Sequence, residues 1–234
     1  MRILVVDVGG SSVKLAIPGT RWRARVRSGR HLTAARMVAR VRAALGTRKV
    51  DRVALGYPGP VVDGRVAQEP VNLGPGWVGF DFEAAFDAPV KIVNDAAMQA
   101  LGAYEGGTML FLGLGTGLGS TLVVDGVLVP MELGHLPYRG RYTFEDCVGH
   151  RGRVRQGLAR WRADVADVVA RLRAALQVRH VVLGGGATRG LRTWPEGATP
   201  APDDAAVRGG ERLWDREARP AAGPWPRRER ARRA

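Results

Sequence analysis

Short apolar runs alternate with polar, glycine-rich breaks along almost the whole chain. Residues 2–7 (RILVVD) and 13–17 (VKLAI) flank GGSS, a pattern that predicts strand, tight turn, strand. Within residues 33–45 (TAARMVARVRAAL), Met37, Val38, Val41 and Leu45 recur at helical spacing, with arginines on the other side. RVALGYPGPV reads as a strand entering a Pro/Gly loop, NLGPGWVGFDF as an aromatic loop, and FEAAF as a short helix. VKIVNDAAMQAL, residues 90–101, passes from an apolar strand straight into a helical pattern, with Asn94 and Asp95 at the junction.

The second half begins in the same way as the first. MLFLGLGTGLGSTLVVDGVLV holds two apolar runs around a glycine turn, and Asp125-Gly126 predicts a further hairpin. From Arg153 to Leu176 a stripe of Trp161, Val165, Val168, Leu172 and Leu176 predicts a helix. HVVLGGGA then reads as a buried strand ending in glycines, and residues 195–205 as a Pro/Ala/Asp-rich loop. The alternation of strands and helices predicts an α/β protein with mixed sheets in two lobes, residues 1–95 and 96–216. Residues 217–234 have the composition of a disordered basic tail. LVVDVGGSSVKLAI and LFLGLGTGLGSTLVV form a loose internal repeat. Two such turns facing each other across a cleft would offer backbone N–H groups to an anion from both sides.

Composition narrows the chemistry. A chain of 234 residues can bury an ample core, and no apolar run reaches the roughly 20 residues of a membrane span. The opening MRILVVDVGG is too short for a secretory leader and runs into Asp7. One cysteine, Cys147, excludes an intrachain disulfide framework and a multi-cysteine zinc site, which points to a reducing cytoplasm. The net charge of +14 comes almost wholly from arginine, with lysine only at 14, 49 and 91. Such a field favours polyanionic partners, while a solvated basic surface is the plainer explanation.

The ordered motifs DVGGSSVK, GYPGP, ND, GLGTGLGS, ELGHLP and VVLGGGA resemble those of the ROK family of sugar kinases, which have the two-lobed actin-like (ribonuclease H-like) ATPase fold. With YTFEDCVG following ELGHLPY, the chain is most similar to the polyphosphate glucokinase branch. The resemblance implies a Mg²⁺-dependent transfer of phosphoryl from polyphosphate or ATP to the 6-hydroxyl of glucose. Asp95 would be the general base, since a sugar hydroxyl is a poor nucleophile until its proton is accepted. Taken locally, Asp95 could equally be part of a helix cap.

It further implies that Gly59, Asn94, Asp95, Glu132, His135 and Glu145 bind the sugar. A first phosphate loop would comprise Asp7, Gly9, Gly10, Ser11, Ser12 and Lys14, with Asp7 holding Mg²⁺ through water. Gly115, Thr116 and Gly117 would form the second phosphate loop, and Gly185 and Gly186 would meet a nucleotide. On residue type alone, Asp7 could be a turn cap and His135 a core histidine.

The family's one-histidine, three-cysteine zinc motif is reduced to Cys147 and His150, so structural zinc is not expected. Ala187 and the segment DDAAVRGGERLW depart from the branch where the donor is expected to lie. Members are often dimers, so the resemblance implies a homodimer, with no membrane partner and no specific nucleic acid. The rival readings are an ATP-dependent glucokinase or other ROK hexose kinase, and a sugar-responsive binding protein whose basic tail binds nucleic acid non-specifically.

Overall fold

The computed structural model describes residues 1–215, so the basic tail lies outside the described residues. β1 (Ile3–Val8), β2 (Ser12–Ala16) and β3 (Arg23–Arg27) form an antiparallel meander. α1 (Ala34–Leu45) starts at a Thr33 cap, stops at Gly46 with φ 63°, and leads to β4 (Arg52–Tyr57), parallel to β1. A small hairpin of β5 (Val61–Val62) and β6 (Arg65–Val66) and the short α2 (Phe82–Phe86) precede β7 (Val90–Asn94), which is parallel to β4.

After α3 (Asp95–Ala103) the plan repeats. β8 (Thr108–Leu114), β9 (Leu118–Val124) and β10 (Val127–Met131) form a second meander, its last turn made by Asp125 and Gly126, both at positive φ. Then come the hairpin β11 (Pro137–Arg139) and β12 (Tyr142–Thr143), α4 (Phe144–Val148), α5 (His150–Leu176) and β13 (His180–Gly184), parallel to β8. β14 (Ala198–Pro200) and α6 (Ala205–Arg212) follow. The sheet orders, β3-β2-β1-β4-β7 and β10-β9-β8-β13-β14, are the same topology used twice. The two glycine turns of the loose repeat occupy equivalent positions, β1–β2 and β8–β9.

Each central strand is buried on both faces, which explains its unbroken apolar run. Leu4, Val6 and Val8 of β1 face α1 and α2, while Ile3 and Val5 face an inner core with α3 and α6. In β8, Met109 and Phe111 join that inner core, and Leu110 and Leu112 meet Trp161, Val165 and Val168 of α5. α3 and α6 therefore lie between the two sheets. A Cβ at Gly102 would collide with the Ala205 carbonyl, and one at Gly209 with the Met98 carbonyl, so only glycine allows this crossing.

The structure departs from the sequence expectations in four places. β3 emerges from RARVR, whose alternation is masked by three arginines on an edge strand. β14 lies inside the expected loop 195–205. The long helix begins at His150 rather than 153 and breaks at Gly157, whose φ of 78° leaves the helical region. Segment 203–214 holds α6. The residues leading into it lie beside β13, where Ala201 N–H donates to the Leu183 carbonyl. Gly210 of α6 packs on Val5, and Lys91, at the start of β7, donates to the Leu213 carbonyl. No helix among the described residues is long and apolar enough to cross a membrane.

Candidate functional site

The parallel strands β1, β4 and β7 end along one edge of the first sheet, and β8 and β13 end along one edge of the second. The carboxyl edge of such sheets is where ligands are received. At the first, Asp7 is 5% exposed and stands opposite Lys14 in the ladder, with Nζ 3.0 Å from its Oδ2. Past Asp7 the chain turns through Gly9–Ser12, with Gly9 N–H donating to the Ser12 carbonyl at 3.1 Å and the Ser11 carbonyl accepting from Ser28 N–H.

The second glycine turn is pinned from behind. His150 N–H donates to the carbonyls of Gly115 and Thr116 at 3.0 and 3.3 Å. The two turns nearly touch, since a Cβ on Gly10 would lie 3.8 Å from Thr116 Oγ1. Gly185, at φ 87°, packs so tightly against the Leu114 backbone that a side chain would strike it, and Gly186 opens the short 3-10 turn that follows. The third glycine segment therefore lies against the end of the strand that carries the second turn.

At the β7–α3 junction the two polar residues divide the work. Asn94 Oδ1 caps α3, accepting from the N–H groups of Ala96 and Ala97 at 3.0 and 3.2 Å. Its Nδ2 donates to the Gly59 carbonyl at 3.1 Å, tying the GYPGP loop to the helix start. Asp95 Oδ1 accepts from Ala96 N–H at 2.8 Å, and its Oδ2 takes no part in the cap. Burial pushes the Asp95 carboxyl up to about 7. The Asp7 charge adds to this and Glu132 adds less, against the opposing Ala96 N–H and Lys14. Charges from three separate segments of the chain thus act on one carboxylate.

Glu132 and His135 bracket a single 3-10 turn, Leu133–His135. Buried Ser120 fixes that turn by donating to the Met131 carbonyl at 2.7 Å and accepting from Leu133 N–H at 3.1 Å. The Glu132 carboxyl is held above its ordinary range, chiefly by partial burial, with His135 opposing and Glu145 adding. Glu145 sits in α4, whose first turn carries a Thr143–Asp146 capping box. Its Oε2 accepts from Leu118 N–H at 3.3 Å and abuts Gly117, where any side chain would collide. Glu145 thus meets the second glycine turn through its carboxylate and is coupled in charge to Glu132 of the ELGH segment.

No family model matches the chain. The polyphosphate glucokinase of Mycobacterium leprae is 26% identical over 212 residues, which cover 81% of this chain and 64% of that protein. The chain thus spans less than two thirds of that relative's length. The inorganic polyphosphate/ATP-glucomannokinase of Arthrobacter sp. strain KM matches with a TM-score of 0.76 at 27% identity, covering 89% of this chain and 96% of the other. A ROK family glucokinase from Streptomyces griseus, in complex with glucose and AMPPNP, shares the fold with a TM-score of 0.74 at 16% identity, covering 91% and 99%. The chain is similar to polyphosphate glucokinases and shares the fold of ROK sugar kinases.

The candidate residues come from both sheets. Asp7, Lys14, Asp95 and Glu132 are coupled through their charges, as are Glu132, His135 and Glu145. Asn72 was missed. It belongs to the NLGPGW loop, and its Cβ lies 3.7 Å from where a Gly10 side chain would begin. Fully buried Trp77 holds that loop, its Nε1 donating to the Gly74 carbonyl at 2.8 Å, while Glu69 accepts from the N–H groups of Trp77 and Val78. The Pro/Gly/Trp content marked a loop, but nothing local showed that the loop reaches the first glycine turn.

Among the described residues no group of three or more His, Cys, Asp or Glu side chains is placed to cage a metal. Mg²⁺ needs no such cage, since one or two carboxylates suffice when phosphate oxygens and water fill the other positions. Buried Asp7, at a strand end beside a glycine turn, fits that donor set.

Proposed function

We propose that the chain is a glucokinase that moves a phosphoryl group from polyphosphate or ATP to the 6-hydroxyl of glucose. The observation that carries the reading is the placement of Asp95. A carboxylate poised near neutral pH starts the helix that follows β7 and is coupled in charge to the Asp7 strand end on one side and the ELGH turn on the other. In this reading residues 1–95 and 96–216 are the two lobes, and the transfer takes place where they meet.

Glucose is oriented by Glu132, His135 and Glu145, with Asn94 and Gly59 backing it. Each hydroxyl both donates and accepts, so carboxylates and an imidazole suit it. As O6 attacks the terminal phosphorus, its proton passes to Asp95 Oδ2, the O6–P bond forms, and the bridging P–O bond of the donor breaks. The charge released on the leaving phosphate is met by the N–H groups of Gly10, Ser11, Thr116 and Gly117 and by Lys14. Asp7 would hold Mg²⁺ when it is bound, and the ion would supply further charge neutralisation. Little covalent chemistry falls to the protein, so positioning dominates.

Polyphosphate is the first donor and ATP the second, because an arginine-rich surface suits a linear polyanion. The test is a donor comparison. With glucose and Mg²⁺, polyphosphate should give glucose 6-phosphate at a higher kcat/KM than ATP, and mannose in place of glucose probes the sugar pocket. Formation of no sugar phosphate with either donor would overturn the reading.

A further inference from the structure

Behind the ELGH segment an ionic cluster with exposed arginines surrounds one buried carboxylate, and the phosphoryl-transfer reading does not use it. Asp164, on the second half of α5, is 1% exposed. Its Oδ1 lies 3.3 Å from Arg139 Nη1 and 3.3 Å from the Tyr138 hydroxyl oxygen, both on β11. Its Oδ2 accepts from Gln156 Nε2 at 2.8 Å, and the same Nε2 donates to the Cys147 carbonyl of α4, also at 2.8 Å. Arg160, one turn earlier on α5, completes the shell at 3.3 Å. Asp167 reinforces the hairpin side, accepting from the Tyr138 hydroxyl at 2.6 Å, and Tyr138 packs on Phe144 with ring centroids 5.3 Å apart.

The elements tied down are those that carry sugar recognition. Tyr138 and Arg139 follow His135 by three and four residues, and Cys147 is two residues after Glu145. Gln156 immediately precedes the break at Gly157, so its bond to Asp164 also bridges the two halves of α5. Charge is needed for this. Three donors, Arg139 of β11 and Gln156 and Arg160 from the two halves of α5, meet one carboxylate, and a neutral amide would point its NH₂ at one set of them.

We propose that Asp164 is a positioning residue for the sugar. From α5 it clamps the β11–β12 hairpin and α4, and through them sets His135 and Glu145. The part concerning sugar rests on the glucokinase reading, whereas the clamp itself does not.

The test uses D164N, with Q156M as a variant that cuts the α4 link and the bridge across Gly157 but spares the hairpin, and R160A as a control that removes an Asp164 partner without touching hairpin or α4. D164N should raise the glucose KM about tenfold or more, and Q156M severalfold, with the polyphosphate KM within about twofold of wild type. R160A should leave both unchanged. Hydrogen exchange without any substrate should show faster exchange of amides in residues 137–148 in D164N, and slower-exchanging core strands unaffected. Unchanged protection there overturns the clamp, even if the protein proves to phosphorylate no sugar. Lost protection with an unchanged glucose KM in an active enzyme overturns the positioning role. Equal rises in both substrate KM values, or a matching effect in R160A, would mean general destabilisation and also overturn it.

Discussion

Replacing Asp95 with Asn should stabilise the protein at alkaline pH and do progressively less as the solution becomes acidic. In the folded protein the carboxyl is raised from 3.8 to about 7, by burial first and the Asp7 charge second. The folded state therefore binds this proton more tightly than the unfolded chain. The stabilisation it contributes is fully present below about pH 4 and is lost as pH rises through about 7. At about 1.4 kcal/mol per pH unit, wild type carries a penalty of about 4 kcal/mol at most above neutrality. The amide introduced by D95N does not titrate, and its side-chain oxygen can still accept from Ala96 N–H. Between about pH 5.5 and pH 8.5 the stability gap in favour of D95N should widen by about 2 kcal/mol, or about 4–8 °C in Tm for a chain of this size. Urea melts of both proteins across that range, without ligands, measure it. A gap that is constant with pH, or one that shrinks as pH rises, would refute the argument that Asp95 is held protonated by its surroundings.

Other perturbations probe other parts of the site. Glu132→Gln and His135→Ala should each raise the glucose KM by about tenfold or more, because unpaired hydroxyls in a closed site are costly. Calorimetry showing unaltered glucose affinity in both would remove the ELGH segment from sugar binding. The polyphosphate KM should climb steeply with added salt while the glucose KM stays nearly flat, since only the polyanion sheds counterions on binding. Gly209→Val should destabilise the fold by about 3 kcal/mol or more, because it drives a side chain into the Met98 carbonyl at the α3–α6 crossing. A melting temperature unchanged from wild type would contradict that packing.

Features that depend on local pattern were legible in the sequence, and features that depend on distant partners were not. The two glycine turns, the Asn94–Asp95 junction and the α5 stripe were visible because turn chemistry and helical periodicity are written in neighbouring residues. α6 was hidden because Gly209 and Gly210, poor helix formers, are there for close approach to α3 and β1. β14 is three residues long and exists through its pairing with β13. Asp164 interrupts no stripe and matches no motif, and its burial becomes visible only when β11 and α4 are folded against α5. The division between capping Asn94 and coupled Asp95 likewise needed the positions of Asp7 and Glu132.

The most direct test of the account is a side-by-side measurement of glucose binding and turnover in wild type and D95N, with polyphosphate and Mg²⁺ at saturation. Asn cannot accept the O6 proton but preserves the shape of the sugar site. The account predicts a kcat lower by about 10²-fold or more, with a glucose dissociation constant within a fewfold of wild type. A D95N enzyme that binds glucose and turns over at near wild-type kcat would contradict the assignment of Asp95 as the base.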